Sequence, residues 1–284
     1  MYNLAQTGRS RKNSLGFAKK DLKKRVKQIR QILRNLPSDF SAEKIHSLRI
    51  EIKRIKALFL VASHTTKNFN ARKYFKPFKS IFEKAGEIRS IQIERALLEK
   101  YIPGNDDIYI QTLENLELEK RKEIDEWADK KDVFKGGQKG MMPILNSIDV
   151  KHVNRFLKKE AEKLANLMDM EIFCEQNLHE IRTRLKTFYF IAKTTYPDLV
   201  IPGPWNKFVE LLGIWHDEQM TIEHLRKAIF SSQFDQPEID KLYEIKQELV
   251  NKREALVDQI ASTYMLLKSK DNKIIIPRKV KLAV

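Results

Sequence analysis

The chain repeats one short pattern at a distance of about half its length. Residues 45–52 read IHSLRIEI and are followed by Lys53, and residues 178–185 read LHEIRTRL and are followed by Lys186. Both segments have the order apolar, His, any residue, apolar, Arg, two residues, apolar, Lys. Because an internal repeat indicates a duplicated structural unit, this pattern constrains the fold more than any other feature of the sequence.

Two further pairs of segments keep nearly the same spacing and the same order. Residues 86–92 (GEIRSIQ) correspond to residues 213–219 (GIWHDEQ), and two Lys-Arg pairs correspond farther along each half. These paired cations are Lys120, Arg121, Lys252 and Arg253. The ordered set predicts two tandem four-helix-bundle repeats related by a pseudo-twofold. Such a pair would bury the apolar seams and bring equivalent basic faces to one groove or central channel.

Apolar periodicity and a low content of helix breakers predict an all-α fold. Glycine and proline number only 9 each, and apolar residues recur at helical spacing, as at Leu22, Val26 and Ile29. We predict helices that begin near 17, 41, 70 and 106 in the first half, and at about 150–170, 174–195, 204–230 and 237–268 in the second.

The domain organisation follows from these helices and from the breaks between them. We predict a flexible N-terminal tail at 1–16, a first four-helix repeat at 17–135, a linker at 136–149, a second four-helix repeat at 150–268 and a basic C-terminal tail at 269–284. The linker contains the glycine-rich run GGQKG at 136–140. The run Ile274–Ile276 in the C-terminal tail fits either a strand or an apolar latch on the body.

The net charge of +16 favours an anionic partner, because the excess Lys and Arg side chains repel one another. Nucleic acid, polyphosphate, anionic lipid and acidic protein are the partner classes. Cys174 is the only cysteine, which excludes an intrachain disulfide and a cluster of thiolate ligands. No stretch approaches about 18 apolar residues, so we expect no membrane span. We expect a cytoplasmic protein.

The basic residues follow the apolar stripes at a constant offset. Lys23, Lys27 and Arg30 trail the stripe of the first helix, His46, Arg49, Lys53 and Lys56 that of the second, and Lys79 that of the third. One residue corresponds to about 100° of helix rotation, so each basic stripe flanks a packed seam. Parallel stripes on packed helices predict a shared basic groove, although any single stripe also fits an ordinary solvated face.

His46 and His179 occupy equivalent positions, each three residues before an arginine on the same helix face. A helix histidine is commonly packed and hydrogen-bonded, but here Arg49 or Arg182 beside it favours anion binding. The metal alternative is weak, because the sequence has no HExxH motif and no cysteine set, and His216 has only Asp217 and Glu218 beside it. We find no nucleotide-binding or nucleophile motif, and we expect no catalytic residue, metal or cofactor.

The doubled His-x-x-Arg-x-x-x-Lys pattern, with the Gly-x-x-Arg/His-Ser/Asp turn after each copy, resembles the CHAD family, the conserved histidine α-helical domain. The resemblance covers about 17–268. It implies paired four-helix units with internal twofold symmetry and a basic channel that binds inorganic polyphosphate. By position it places the binding residues at His46, Arg49, Lys53, Arg54, Lys56, His179, Arg182 and Lys186. Arg89 falls in the turn of the first copy.

The second copy departs from the family pattern. Thr187 and Tyr189 replace expected cations, and the Arg-Asp turn becomes Arg89-Ser90 in the first copy and His216-Asp217 in the second. We therefore expect weaker binding by the second repeat.

The sequence predicts non-enzymatic binding of inorganic polyphosphate through Lys, Arg and His stripes, with polyphosphate granules as a candidate location. Alternatives are a nucleic-acid-binding protein that uses the same basic groove, a metal-dependent phosphohydrolase, and a scaffold for an acidic protein. The motif residues include no aromatic stacking platform, which favours polyphosphate over single-stranded nucleic acid.

Overall fold

A computed structural model describes most of the chain. The described residues are 9–102, 107–128, 133–148, 150–168, 175–196, 199–267, 274–276 and 280–282. Cys174, the first half of the N-terminal tail and most of the C-terminal tail lie outside the described residues.

The fold is all-α apart from one short β-hairpin. The helices are α1 (Arg9–Asn35), α2 (Ala42–Thr65), α3 (Ala71–Leu98), α4 (Ile108–Ala128), α5 (Lys135–Ser147), α6 (Val150–Met168), α7 (Glu175–Thr195), α8 (Gly203–Ile229) and α9 (Gln236–Leu267). The all-α prediction is confirmed, and α2–α4 and α6–α9 agree closely with the predicted segments. A 3₁₀ turn at Leu36–Ser38, which contains Pro37, follows α1.

The helices pair in the same way in each half of the chain. Neighbours in sequence pack together from α1 to α4 and again from α6 to α9, and the halves meet where α2 packs on α7 and α3 packs on α8. This arrangement is compatible with two four-helix units, while their pseudo-twofold relation stays a prediction.

The apolar positions of the repeated motif lie in the core, as their spacing predicts. Ile45, Leu48 and Ile52 of α2 are fully buried, and Leu178, Ile181 and Leu185 of α7 are buried at the equivalent positions. The cations one residue farther along each helix therefore lie beside the seam between α2 and α7 rather than on the opposite face.

A second group of buried residues joins α3, α4, α8 and α9. It includes Ile91, Leu98, Leu113, Leu225 and Leu249. This second core fixes α3 against α8 independently of the main core, which holds α2 against α7. The four helices that carry the repeated motifs are thus held rigidly relative to one another.

The segment predicted as a linker, 136–149, instead contains most of helix α5. Its glycines allow two helices to approach closely: a Cβ on Gly137 would lie 2.5 Å from the carbonyl oxygen of Tyr74, and one on Gly140 would lie 2.3 Å from the Tyr74 ring. Met141 and Leu145 of the same helix are fully buried. The glycine-rich run therefore serves helix packing rather than chain flexibility.

Both ends of the chain differ from their predicted form. Helix α1 begins at Arg9 rather than near residue 17, so the second half of the predicted tail is helical. Ile274–Ile276 forms strand β1, which pairs antiparallel with β2 (Val280–Leu282). Strand β2 lies beside α6, so the C-terminal segment is both a strand and an attachment to the body.

Candidate functional site

The repeated motifs meet at a cleft between α2, α3, α7 and α8, which we name the central cleft. Its volume is about 250 Å³. The titratable side chains in its lining are His46, Arg49, Lys53, Arg89, Arg182, Lys186, His216, Asp217 and His224. Cations thus reach this one cleft from α2, α3 and α7, and Asp217 is the acid in its described lining.

Arg49 is fixed in place by contacts with α3. Its Nη1 atom donates a hydrogen bond of 2.7 Å to the carbonyl oxygen of Phe82, and its guanidinium lies 4.2 Å from the centroid of the Phe82 ring. A Cβ on Gly86 would lie only 2.4 Å from Nη1. Gly86 therefore allows a close contact between α2 and α3.

Arg182 occupies the equivalent position on α7 but has a different environment. Its Nε atom is buried and has no hydrogen-bond partner among the described residues. Burial lowers the pKa of Arg182, an effect that Asp217 opposes. A buried donor without an acceptor is costly, so this atom is suited to an anionic ligand.

Lys53 and Lys186 face the cleft from α2 and α7. Burial, together with nearby Lys186, Arg49 and Arg182, lowers the pKa of Lys53 to about 7. Burial, Arg182 and Arg49 lower the pKa of Lys186 to about 8, against the opposing charge of Asp217. Each ammonium group is therefore destabilised by its surroundings, because it is buried and the neighbouring charges are mainly of the same sign.

Burial and nearby cations disfavour the charged form of two cleft histidines, His46 and His216. Burial and Arg182 lower the pKa of His216 to about 3, and burial and Arg89 lower the pKa of His46. The rings of His179 and His216 lie 5.4 Å apart. The imidazoles of the two halves thus gather at the cleft, where each can donate one hydrogen bond to an anion.

A hydrogen-bond network at the rim of the cleft also joins the two halves of the chain. The Nδ1 atom of His224 on α8 lies 2.6 Å from Oε2 of Glu94 on α3, and the Tyr109 hydroxyl donates a 2.8 Å hydrogen bond to Oε1 of the same carboxylate. The hydrogen bond to Glu94 raises the pKa of His224. Glu94 is buried, so this network stabilises the packing of α3 on α8.

Many of the other predicted binding residues are paired with acids outside the central cleft. The pairs are Arg54 with Glu51 at 2.8 Å, Lys79 with Glu83 at 3.2 Å, Lys120 with Glu123 at 2.9 Å and Glu87 at 3.1 Å, Arg121 with Glu117 at 2.6 Å, and Lys252 with Glu248 at 3.0 Å. Arg253 donates to the side-chain oxygen of Gln219. A cation with its own carboxylate has less need of an external anion.

The remaining predicted residues also lie away from the cleft lining. Lys23 and Lys27 on α1 and Lys56 on α2 are exposed to solvent. Arg30 is partly buried, and its Nε atom has no hydrogen-bond partner among the described residues. Of the predicted set, the structure brings together in the lining His46, Arg49, Lys53, Arg89, Arg182 and Lys186, with His179 beside His216.

Three titratable residues of the cleft were not among the predicted binding residues: His216, Asp217 and His224. The repeat itself points to the first two, because the turn that contains Arg89 corresponds to the turn that contains His216 and Asp217. His224 lies about two helical turns after His216, which places it on the same side of α8. A fuller use of helical spacing would have identified it.

Neither a metal-binding group nor a membrane-spanning helix is found among the described residues. No group of three or more His, Cys, Asp or Glu side chains there is arranged to hold a metal ion. No helix of the described chain is long and apolar enough to cross a membrane.

Comparison with solved structures identifies the fold. A crystal structure of the CHAD domain from the plant Ricinus communis superposes with a TM-score of 0.71 at 12% sequence identity, over 88% of this chain and 91% of that one. The chain has a CHAD-like fold. PptA from Streptomyces chartreusis superposes with a TM-score of 0.67 at 8% identity, over 89% of this chain and 98% of that one.

The resemblance predicted from the repeated motif is therefore confirmed at the level of the fold. No family model matches the sequence, and no curated protein matches it either. The two superpositions each extend over most of this chain.

Proposed function

We propose that the central cleft binds inorganic polyphosphate, a long phosphate polyanion, and that it does so without catalysing a reaction. The observation that carries this proposal is the convergence of Arg49, Lys53, Arg89, Arg182 and Lys186 on a cleft whose described lining contributes only Asp217 as an acid. The resemblance to the CHAD family implies the same ligand. The proposal includes a cytoplasmic location at polyphosphate granules.

The contrast between these cations and the rest of the molecule supports an external anion. Elsewhere, Arg25 shares the carboxylates of Asp21 and Glu51, and Arg95 shares those of Glu114 and Glu117. Instead, burial and neighbouring cations lower the pKa of Arg49, Lys53 and Lys186. Gathering like charges in a partly buried site is unfavourable, and a ligand of high negative charge density relieves that cost.

The donors of the cleft suit a phosphate chain. A guanidinium can donate two parallel hydrogen bonds to phosphate oxygens, and the buried Nε of Arg182 is available for one of them. Lys53 and Lys186 contribute point charges from opposite walls. Rigid helices repeat these donors at intervals along the cleft, which matches a ligand whose acceptors also repeat. Displacement of the chain's counterions would drive binding and make it salt-dependent.

A second candidate function, nucleic-acid binding, is favoured by a separate groove. This lysine groove lies between the start of α3 and α5, has a volume of about 680 Å³, and is lined by Lys67, Phe69, Lys73, Tyr74 and Lys139. Lysines beside aromatic rings are typical of sites that bind single-stranded nucleic acid. The rings of Phe69 and Tyr74 stack on each other, however, which reduces the area open to a base.

The test measures binding of labelled long-chain polyphosphate at increasing salt, with duplex DNA and single-stranded RNA as competitors. The Arg49→Ala/Lys53→Ala/Arg182→Ala variant removes cleft cations. The Lys79→Ala/Lys120→Ala/Lys252→Ala variant removes the same formal charge from ion-paired positions outside the cleft, and serves as the matched control. Circular dichroism establishes that both variants are folded, and phosphate release with added Mg²⁺ or Mn²⁺ tests for hydrolysis.

Tight binding that the cleft variant loses and the control retains, with weak competition by nucleic acid, would support the proposal. Equal losses in the two variants would mean that net charge alone attracts the ligand. Effective competition by RNA, abolished by Lys67→Ala/Lys73→Ala/Lys139→Ala, would favour nucleic-acid binding in the lysine groove. Phosphate release that depends on the metal would replace binding by hydrolysis.

A further inference from the structure

The titratable groups of the central cleft face one another from four helices. Helix α2 contributes His46, Arg49 and Lys53, α3 contributes Arg89, α7 contributes His179, Arg182 and Lys186, and α8 contributes His216, Asp217 and His224. His224 is already paired with Glu94. Lysine and histidine side chains thus lie among arginines, with one carboxylate in the described lining.

We propose that the central cleft takes up protons as it binds its polyanion, so that affinity for the polyanion falls as the pH rises above neutral. This inference rests on the proposed function, since it concerns how the same site is regulated. It adds a second ligand, the proton, to a site that the net charge alone would make indifferent to pH near neutrality.

The lysines supply the physical basis for the coupling. Without a ligand, the pKa of Lys53 is about 7 and that of Lys186 about 8, because burial and neighbouring cations disfavour their charged forms. A phosphate chain in the cleft would favour the charged forms and raise both pKa values. Between the free and the bound pKa values, binding therefore draws protons from solution.

The sign of the effect follows from these shifts. Below about pH 7 both lysines are mostly charged before binding, so the polyanion gains their full attraction without proton uptake. Above pH 8 both lysines are mostly neutral in the free protein, and each must first be protonated. Affinity is thus highest below the free pKa values and declines as the pH rises through them.

The other cleft groups act in the same direction or stay constant. His46 and His216 are neutral near pH 7, and an adjacent anion raises their pKa, so they add proton uptake at acidic pH. Burial raises the pKa of Asp217, and a polyanion would raise it further. Arg49, with a pKa of about 10, remains charged throughout the neutral range.

The experiment is isothermal titration calorimetry of the full chain with long-chain polyphosphate. Each titration is repeated at one pH in two buffers of different ionisation enthalpy, because the difference in apparent heat gives the number of protons taken up. Long chains are used because their internal phosphates do not titrate near neutral pH. We expect net proton uptake at pH 8, and at least about a tenfold loss of affinity between pH 6.5 and 8.5.

The Lys53→Arg/Lys186→Arg variant separates charge from titration, because arginine retains the charge but does not lose its proton in this range. We expect it to bind at pH 8.5 as it does at pH 6.5, with little proton uptake. The Lys79→Arg/Lys252→Arg variant makes the same change at exposed, ion-paired positions, and should keep the pH dependence of the native chain.

The outcomes distinguish this inference from the function on which it rests. Absence of polyphosphate binding at every pH would overturn the proposed function. Binding by the native chain without proton uptake, or a pH dependence that survives in the Lys53→Arg/Lys186→Arg variant, would overturn the coupling and leave the function standing.

Discussion

The two copies of the repeated motif share the same histidine, arginine and lysine, but these residues have different environments. Arg49 of the first copy donates to the Phe82 carbonyl oxygen and lies over the Phe82 ring, whereas Arg182 of the second has a buried Nε without a partner among the described residues. The glycines after them differ in the same way. A Cβ on Gly86 would collide with Arg49, while one on Gly213 would meet nothing within 4 Å in the described structure.

The two copies of a repeated sequence motif therefore need not have the same function. The first copy uses its arginine partly to join α2 to α3, and the second leaves its arginine available. Weaker binding by the second repeat was predicted from its missing cations. That prediction stays untested, but the contacts of Arg182 favour the opposite ranking of the two arginines.

The side-chain contacts between the third and fourth helices differ most strongly between the two halves. We expect a substitution there to have the largest effect. In the first half, Glu117 is 2% exposed and accepts from Gln92, Arg95 and Arg121. In the second half, Leu249 occupies the corresponding position, and Gln219 contacts Arg253 directly. A buried carboxylate thus organises the contact in the first half, whereas the described contact in the second half joins Gln219 to Arg253.

We expect Glu117→Gln to lower the free energy of unfolding by about 3 kcal/mol, because Arg95 and Arg121 lose the charge that compensates them. Glu114→Gln is the matched control: Glu114 also pairs with Arg95, at 2.5 Å, but is 46% exposed, so we expect a loss below about 1 kcal/mol. Urea unfolding measures both. Equal losses would mean that burial does not distinguish the two carboxylates.

The next largest effects concern the two motif arginines. We expect Arg182 to matter more for polyphosphate binding and Arg49 to matter more for stability. We expect Arg182→Ala to weaken polyphosphate binding about tenfold to a hundredfold, because its buried Nε has no partner among the described residues and would donate to the proposed ligand. Arg49→Ala should weaken binding less but lower the free energy of unfolding by about 1–2 kcal/mol, through the lost Phe82 contact.

Fluorescence anisotropy with labelled polyphosphate and urea unfolding measure the two quantities on the same preparations. The comparison would fail if Arg49→Ala cost more affinity than Arg182→Ala, or if Arg182→Ala destabilised the chain as much as Arg49→Ala. Either result would return the two copies to equal roles.

Local sequence information was sufficient for much of the central cleft. The apolar register of α2 and α7 correctly placed the motif cations beside the seam between these helices. The paired cations could also have been recognised, because Lys79, Arg121 and Lys252 each have a glutamate three or four residues away on the same helix. Arg49, Lys53, Arg89, Arg182 and Lys186 have no acid at those spacings.

Other features depend on contacts between helices, which the sequence does not display. Lys23, Lys27 and Lys56 also lack an acid at helical spacing, yet they are exposed, because helix packing decides which basic stripe faces a cleft. The run GGQKG was predicted as a linker because glycine signals a loop and a close helix contact equally well. Only the position of Tyr74 against Gly140 distinguishes the two.

Substitutions of Gly86 and Gly213 should have the smallest effect on stability, and they test most directly why the two copies differ. Gly213→Ala should raise the free energy of unfolding by about 0.5–1 kcal/mol, because alanine is the better helix former and its Cβ meets open space. Gly86→Ala has the same helix preference, but its Cβ would displace the Arg49 guanidinium and cost the hydrogen bond to Phe82. We therefore expect no gain, or a loss.

A double-mutant cycle with Arg49→Ala isolates the cause. Once the arginine is truncated, nothing remains for the Gly86 Cβ to displace, so Gly86→Ala should stabilise the Arg49→Ala chain as much as Gly213→Ala stabilises the native one. Urea unfolding of the four chains measures the coupling. If Gly86→Ala stabilises the native chain fully, the guanidinium accommodates a Cβ without loss. The tighter hold on Arg49 would then arise from Phe82 alone, and the glycine would be no part of the difference between the copies.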